Sequence, residues 1–433
     1  MTEENSKQGG NMLAIATMFA LFFMIAFVTN FASPMGVIAK NQFNASNALS
    51  QLGNAANFIA YLFMGIPGGL ILKRKGYKFT ALAAVAVGFT GVGVQLISGY
   101  ISSFAVYVLG AFIAGFSMCM LNLVVNPMLN TLGGEGKKGN QLVQFGCSLN
   151  SVGATLSPAV LGWLIGEITK DTSFIKAAPA LMIAMGIFAL AFLIVAVSKI
   201  PEPHMETAEE KAARLAGGTS LLKDIAETLK FRHFKFGALA IFFYIVIEVG
   251  VPSMGMLYMT DCVKDAAGEI VSKGPGYVGG AVAGVVCGAY WFLMMCGRLL
   301  GGLVGGKVSS RVQVSFLSSL GICLLLAAMF TPVKMITLFG YQFPLSMAFM
   351  VAVGLCTSVM WGGIFNMAAE GLGKYVPMGS GIFMCMVFGG ILIPVQGLLA
   401  DKIGILNSYW LSIALLAYVL AYAFFLSKPA RRA

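Results

Sequence analysis

Apolar runs of about twenty residues recur along the whole chain, each closed by Gly, Pro or charged residues. That length matches helices crossing a hydrocarbon layer of roughly 30 Å. A membrane barrel would show alternating polarity over segments of about ten residues, and none is present. The pattern predicts twelve spans, at residues 12–33, 49–72, 79–98, 103–131, 141–167, 177–199, 236–259, 277–303, 312–330, 344–368, 378–398 and 408–427. The chain before Asn11 is short and polar without a cleavage-site pattern, so the first run reads as a retained span. One longer polar stretch separates six spans from six, and its AEEKAARLA and LLKDIAETLKF runs have the period of short amphipathic helices on a membrane surface. Three parts are expected: a six-helix bundle over 1–199, a linker over 200–235 and a second six-helix bundle over 236–433.

Composition agrees with an all-α membrane protein. Of 433 residues, 58% are hydrophobic and 10% charged, and the mean hydropathy is +0.86, more apolar than a water-soluble domain of this size requires. The net charge of +11 does not point to nucleic acid, because the basic residues concentrate in turns. About twenty fall on the linker side of the membrane and about seven on the other, which by the positive-inside rule makes the linker side cytoplasmic. Both termini then lie in the cytoplasm and the protein in the cytoplasmic (inner) membrane.

Seven of the eight cysteines lie inside apolar runs without metal-ligand spacing, and His204 and His233 both fall in the predicted linker. No Walker sequence, dinucleotide fingerprint, nucleophile elbow or zinc spacing occurs. The sequence therefore implies neither an enzyme nor a cofactor or metal.

Uncharged polar side chains are the more informative feature. Asn122 and Asn126 share a face of the fourth span, Gln144, Ser148 and Ser151 share a face of the fifth with Asn150 to one side, and Asn30, Asn54, Asn57 and Tyr61 lie in the first two. Amides in hydrocarbon need partners, so they face the protein interior or a wet cavity. They offer donors and acceptors without charge, which suits a neutral polyol better than an organic ion. Helix–helix hydrogen bonding uses the same residue types and is the competing explanation.

One acid, Glu248, lies in the middle of the seventh span. An acid buried there without a positive partner can take up and release a proton during a transport cycle, or can hydrogen-bond a solute directly. Tyr244 lies one turn earlier on the same face, where its ring could hold the apolar side of a pyranose or simply pack. Trp361 and Asn366 in the tenth span complete the binding candidates, with Trp291 as a second possible platform. Trp163 and Trp410 lie nearer span ends and suit interfacial anchors. Lys73, Arg74, Arg298 and Glu370 are read as gate contacts that hold the cytoplasmic ends together in one state.

The halves echo one another. Asn126-Pro127-Met128, Leu132-Gly133 and a basic turn recur as Asn366-Met367, Leu372-Gly373 and Lys374, and PGGLILKRKGYK is echoed by LLGGLVGGKVSSR. Parallel six-span repeats with a solute site midway through the membrane are the plan of the major facilitator superfamily. The stretches NPMLNTLG, LNSVGATLSP, FFYIVIEVGVPSM and IFNMAAEGLGKYVPMGSGIFMCMVFGGILIPVQGLLAD resemble its fucose and glucose/galactose proton-symporter subfamily. The resemblance implies uptake of a monosaccharide driven by an ion gradient, in a monomeric carrier surrounded by lipid. Two departures stand out: where relatives commonly read E-T-A-A-N-P this chain has Asn122 in the place of the coupling Glu, and a first-span Asp of the fucose permease aligns near Ser33. Coupling would then rest on Glu248 with a proton, on sodium, or be absent. Efflux of an apolar metabolite or drug would suit a less polar interior.

Overall fold

The computed structural model describes residues 3–29, 38, 52–134, 136–165, 174–215, 221–264, 270–278 and 280–428. Span 1 is Glu3–Thr29 and begins well before the expected residue 12. Spans 2 and 3 form one run, Leu52–Tyr100, broken at Gly76, whose φ of 85° only glycine adopts without strain. Spans 4, 5 and 6 are Phe104–Leu132, Gly136–Ile165 and Phe174–Val197. Ser103 caps span 4, its side chain accepting from the Val106 N–H at 3.5 Å. After the linker come span 7 (Arg232–Thr260), span 8 (Gly280–Gly305) and span 9 (Ser310–Phe330). Span 10 is split into Leu345–Thr357 and Met360–Ala369, span 11 into Val376–Cys385, a 3₁₀ stretch Met386–Leu392 and Ile393–Ile403, and span 12 is Tyr409–Ala421 with a π turn, Tyr422–Leu426.

Among the described residues six spans thus precede the linker and six follow it, consistent with the expected number. Among the described residues nine helices are long and apolar enough to cross a membrane, the one broken at Gly76 counting once. The linker carries the two expected amphipathic helices, Ala208–Leu215 and Leu221–Lys230. Two antiparallel hairpins were not foreseen, Cys262–Lys264 with Ile270–Lys273 and Met335–Leu338 with Tyr341–Pro344. The second turns on Phe339 and Gly340, both at positive φ, a two-residue hairpin turn in which Phe is an unusual occupant.

Buried apolar side chains fall into two clusters, one drawn mainly from spans 1 to 6 and one mainly from spans 7 to 12. Tyr61, Met64 and Trp361 pack against both, so they lie on the seam between the bundles. At the linker end that seam is tight. A Cβ on Gly65 would fall 2.6 Å from the Gly381 carbonyl oxygen, and one on Gly69 would fall 2.6 Å from that of Pro377. Spans 5 and 8 close alongside, where Gly302 faces the Phe145 ring and Lys137 Nζ donates to the Lys307 carbonyl at 2.9 Å.

The linker reinforces this closure. The Glu202 carboxylate accepts the N–H groups of Tyr77 and Lys78 at the start of span 3. Asp224, on the second linker helix, pairs with Lys73 of span 2 at 2.7 Å, while Ile225 of the same helix packs on the second bundle's core. Glu210 on the first linker helix reaches Lys374 of the second bundle at 3.8 Å.

Candidate functional site

Midway along the helices, two cavities meet at the seam. The smaller, of about 210 Å³, is lined by Phe22, Ile25, Ala26, Tyr61, Asn122, Cys147, Asn150, Glu248, Arg298, Trp361 and Val387. The larger, of about 440 Å³, lies further from the linker between spans 5 and 8, with Ser151, Thr155, Gly288, Trp291 and Phe292 in its walls. Asn150, Glu248 and Arg298 border both.

Glu248 is not without a cation. Its Oε1 accepts from Arg298 Nη2 at 3.0 Å, and Arg298 Nη1 donates to the Ser151 hydroxyl at 2.6 Å. The side chains of the pair are 14% and 11% exposed, so each charge depends on the other for its solvation. Arg298 is therefore no gate residue at the linker end, as the sequence suggested, but the counter-charge of the site acid. It was missed there because its Gly-rich surroundings resemble an end-of-helix seam. The available signal was pairing logic: an intramembrane acid asks for an intramembrane base.

The amide line of span 4 builds the opposite wall. Asn122 Nδ2 donates to Tyr61 Oη and to the Met118 carbonyl, both at 3.0 Å. Asn126 Nδ2 donates to the Asn122 carbonyl at 2.9 Å, and its Oδ1 accepts from Trp361 Nε1 at 3.2 Å. Asn126 thus sits behind the cavity and fixes the indole that lines it. Asn150 Nδ2 donates to the Phe22 carbonyl at 3.0 Å, turning that amide toward span 1. Tyr244 is fully buried behind Trp361, ring centroids 6.4 Å apart, and lines neither cavity.

Other expected members lie elsewhere. Gln144 is buried at the seam, Nε2 donating to the Val359 carbonyl at 2.9 Å beside the break in span 10, and it lines neither cavity. Asn57 is buried against Gly115 where spans 2 and 4 cross, also outside both linings. Asn366 donates from Nδ2 to Ser310 Oγ at 2.9 Å, joining spans 10 and 9 within one bundle, the helix–helix role that competed with solute binding. Asn30 lies outside the described residues.

The remaining gate candidates also divide. Lys73 faces the linker through Asp224, Arg74 is exposed, and Glu370 pairs with Arg311 of its own bundle at 3.2 Å, so it does not bridge the halves. His233 is not in the linker but in the first turn of span 7, 2% exposed, with Nε2 2.7 Å from the Glu370 carbonyl oxygen.

Known proteins share this organisation. Residues 15–340 match the profile of the Major Facilitator Superfamily. The chain is 26% identical over 428 residues to a glucose/galactose transporter of Brucella abortus biovar 1 (strain 9-941), covering 98% of this chain and 97% of that one. It is 24% identical over 445 residues to the L-fucose-proton symporter of Escherichia coli (strain K12), covering 97% and 94%. In structure it is similar to the transporter FucP in its outward conformation, with a TM-score of 0.82 at 18% identity over 97% of this chain and all (100%) of that one. A proton:xylose symporter bound to 6-bromo-6-deoxy-D-glucose gives a TM-score of 0.67 at 15% identity, covering 97% of each chain.

Proposed function

The chain belongs to the Major Facilitator Superfamily, and from that premise we propose that it imports a neutral monosaccharide, a hexose or close relative, together with a proton. The observation that carries this reading is the smaller cavity, where an indole, a phenol, two amides and one ion pair converge. Trp361 offers a flat apolar face to a pyranose, while Asn122, Asn150 and Glu248 offer partners to its hydroxyls. The named functions of the two relatives, one for glucose and galactose and one for fucose with a proton, support the same class.

In this mechanism Glu248 is the proton carrier and Arg298 sets when it can be one. With Glu248 ionised, the pair is neutral as a unit. Protonation removes the carboxylate's hold on Arg298, whose guanidinium also reaches Ser151 in the other bundle. Loading of the acid is thereby linked to a contact that must break when the bundles rock. The bodies that rock are the bundle before residue 200 and the bundle that opens with span 7 at Arg232, with the linker between them as the tether.

The linker side faces the cytoplasm, placing both termini there and the carrier, a monomer in lipid, in the cytoplasmic membrane. The state described is then closed inward at the Gly65, Gly69 and Gly381 seam. The experiment is uptake into proteoliposomes of labelled D-glucose, D-galactose and L-fucose under a pH gradient, a sodium gradient or neither. Accumulation under the pH gradient supports the reading. Accumulation under sodium alone would replace the coupling ion, equilibration without accumulation would make the protein a facilitator, and no uptake of any sugar would discard the substrate class.

A further inference from the structure

The larger cavity contains groups that the smaller one does not use. Trp291 stands two turns before Arg298 on the same face of span 8, packed edge-on against Tyr290 with centroids 5.4 Å apart. Ser151 and Thr155 face it from span 5, and the floor is Asn150, Glu248 and Arg298. Arg298, only 9% exposed, closes that floor through its bonds to Glu248 and Ser151.

Toward the far end, Gly288 and Gly284 continue the Trp291 face at helical spacing. A Cβ on either would meet nothing within 4 Å, whereas nearer the linker on the same helix Gly297 and Gly301 would collide with Ser358 and Val359 of span 10, and Gly302 with Phe145 of span 5 across the seam. Small residues that let helices approach are therefore confined to the linker end of span 8. Gly288 serves a different purpose: it lines the outer cavity beside Trp291 and leaves its wall open.

We propose that this outer cavity is a second monosaccharide site, filled before the sugar passes the Glu248–Arg298 pair into the inner cavity. The pyranose lays its C–H face on Trp291 and donates hydroxyl protons to Ser151 Oγ and Thr155 Oγ1, whose own protons are held by the Cys147 and Ser151 carbonyls. The ion pair forms the partition between the two sites, so a sugar moving inward exchanges hydroxyl partners on the same two residues without being stripped of all of them. This proposal rests on the sugar-carrier reading above.

Trp291 supplies its own reporter. Replacing Trp163, Trp361 and Trp410 by Phe leaves it the single indole of the chain's 4. Adding Asn122→Leu blocks the inner cavity. Titration of this purified variant with D-glucose, D-galactose or L-fucose is expected still to quench Trp291 emission. In the otherwise native chain, Gly288→Leu, which enters open space and so preserves the fold, is expected to raise the KM for uptake about tenfold, while Gly186→Leu, equally unobstructed on span 6, leaves it unchanged. The proposal is overturned if the native chain transports a sugar but Trp291 emission stays constant, or if Gly288→Leu has the native KM. Failure of the native chain to bind or transport any sugar would overturn the sugar reading as well, so the two failures are distinguishable.

Discussion

Arg298 Nη1 lies 2.6 Å from Ser151 Oγ, and that single contact ties span 8 of one bundle to span 5 of the other at the depth of the site. The same guanidinium holds Glu248 at 3.0 Å, so charge at the acid and contact between bundles share one side chain. Glu248→Gln keeps the shape and a hydrogen-bond acceptor but cannot cycle a proton. We expect sugar exchange between preloaded and empty sides of proteoliposomes to persist in this variant, while accumulation under a pH gradient falls at least tenfold. Full proton-driven accumulation by Glu248→Gln would remove the acid from the coupling step.

Removing the other partner acts on stability. Arg298→Met leaves Glu248 buried without its cation, which costs roughly 3–5 kcal/mol when one member of a buried pair is deleted. Thermal unfolding in detergent is expected at a clearly lower temperature for Arg298→Met than for the native chain. The double variant Glu248→Gln with Arg298→Met should recover most of that loss, because no charge is then stranded. A double variant no more stable than Arg298→Met would mean that packing, not charge, explains the loss.

Trp361 is held by its Nε1 bond to Asn126, not by packing alone. Asn126→Leu removes that acceptor and leaves a buried indole N–H unpaired, about 1–3 kcal/mol of penalty that the ring can avoid only by turning. The sugar KM should rise several-fold with a smaller change in kcat, and Trp361→Phe, which needs no acceptor, should suppress most of the additional effect of Asn126→Leu. Additive effects of the two substitutions would show that Asn126 acts independently of the indole.

The closure at the linker end combines an ionic and a steric part. The Lys73–Asp224 pair, with side chains 17% and 15% exposed, is worth about 1 kcal/mol, or roughly a fivefold shift in population. Asp224→Asn should therefore shift the carrier modestly toward the inward-open state, and Gly381→Leu, which sets a side chain against the Gly65 backbone, much further. Maleimide labelling of Cys385, buried at the same seam and retained as the single cysteine, measures this. The order native, Asp224→Asn, Gly381→Leu in increasing rate is expected, and equal rates would refute the closure.

His204 gives the linker a pH dependence. Its Nδ1 lies 2.7 Å from Tyr77 Oη, and burial lowers the ring's pKa below the ordinary 6.5. The docked segment therefore binds fewer protons than the free one, so its docking is fully stable above about pH 6.5 and weakens as pH falls through the lowered pKa. Amide exchange over residues 200–207 should be faster at pH 5 than at pH 8 after correction for intrinsic rates. His204→Gln should abolish that difference, and its persistence would remove the imidazole from the effect.

Span number, linker helices and an acid buried within span 7 were all legible in the sequence, because each follows from one dimension of pattern: length, period or an isolated charge. Partnership was not. Asn126 and Asn366 occupy equivalent places in the repeat, yet one orients a cavity-lining indole and the other joins two helices through Ser310. Helix rotation decides between them, and nothing local to either Asn encodes it. The places of Gln144 and Asn57 outside both linings were hidden for the same reason. The break in span 10 was hidden too, since no Pro lies beside Ser358 and Val359, whereas in span 11 Pro394 deprives the Gly390 carbonyl of its helical donor at the end of the 3₁₀ stretch.

The Gly65–Gly381 contact carries an implication for how such a carrier diversifies. Where main chain meets main chain, the smallest possible change is the addition of a methyl group, and no compensating truncation exists on the facing residue. Mutation there can move the resting balance between states in one direction only. The preferred orientation of the carrier is thus sensitive to a single base change at these glycines, whereas the cavity walls carry side chains that can be traded in size.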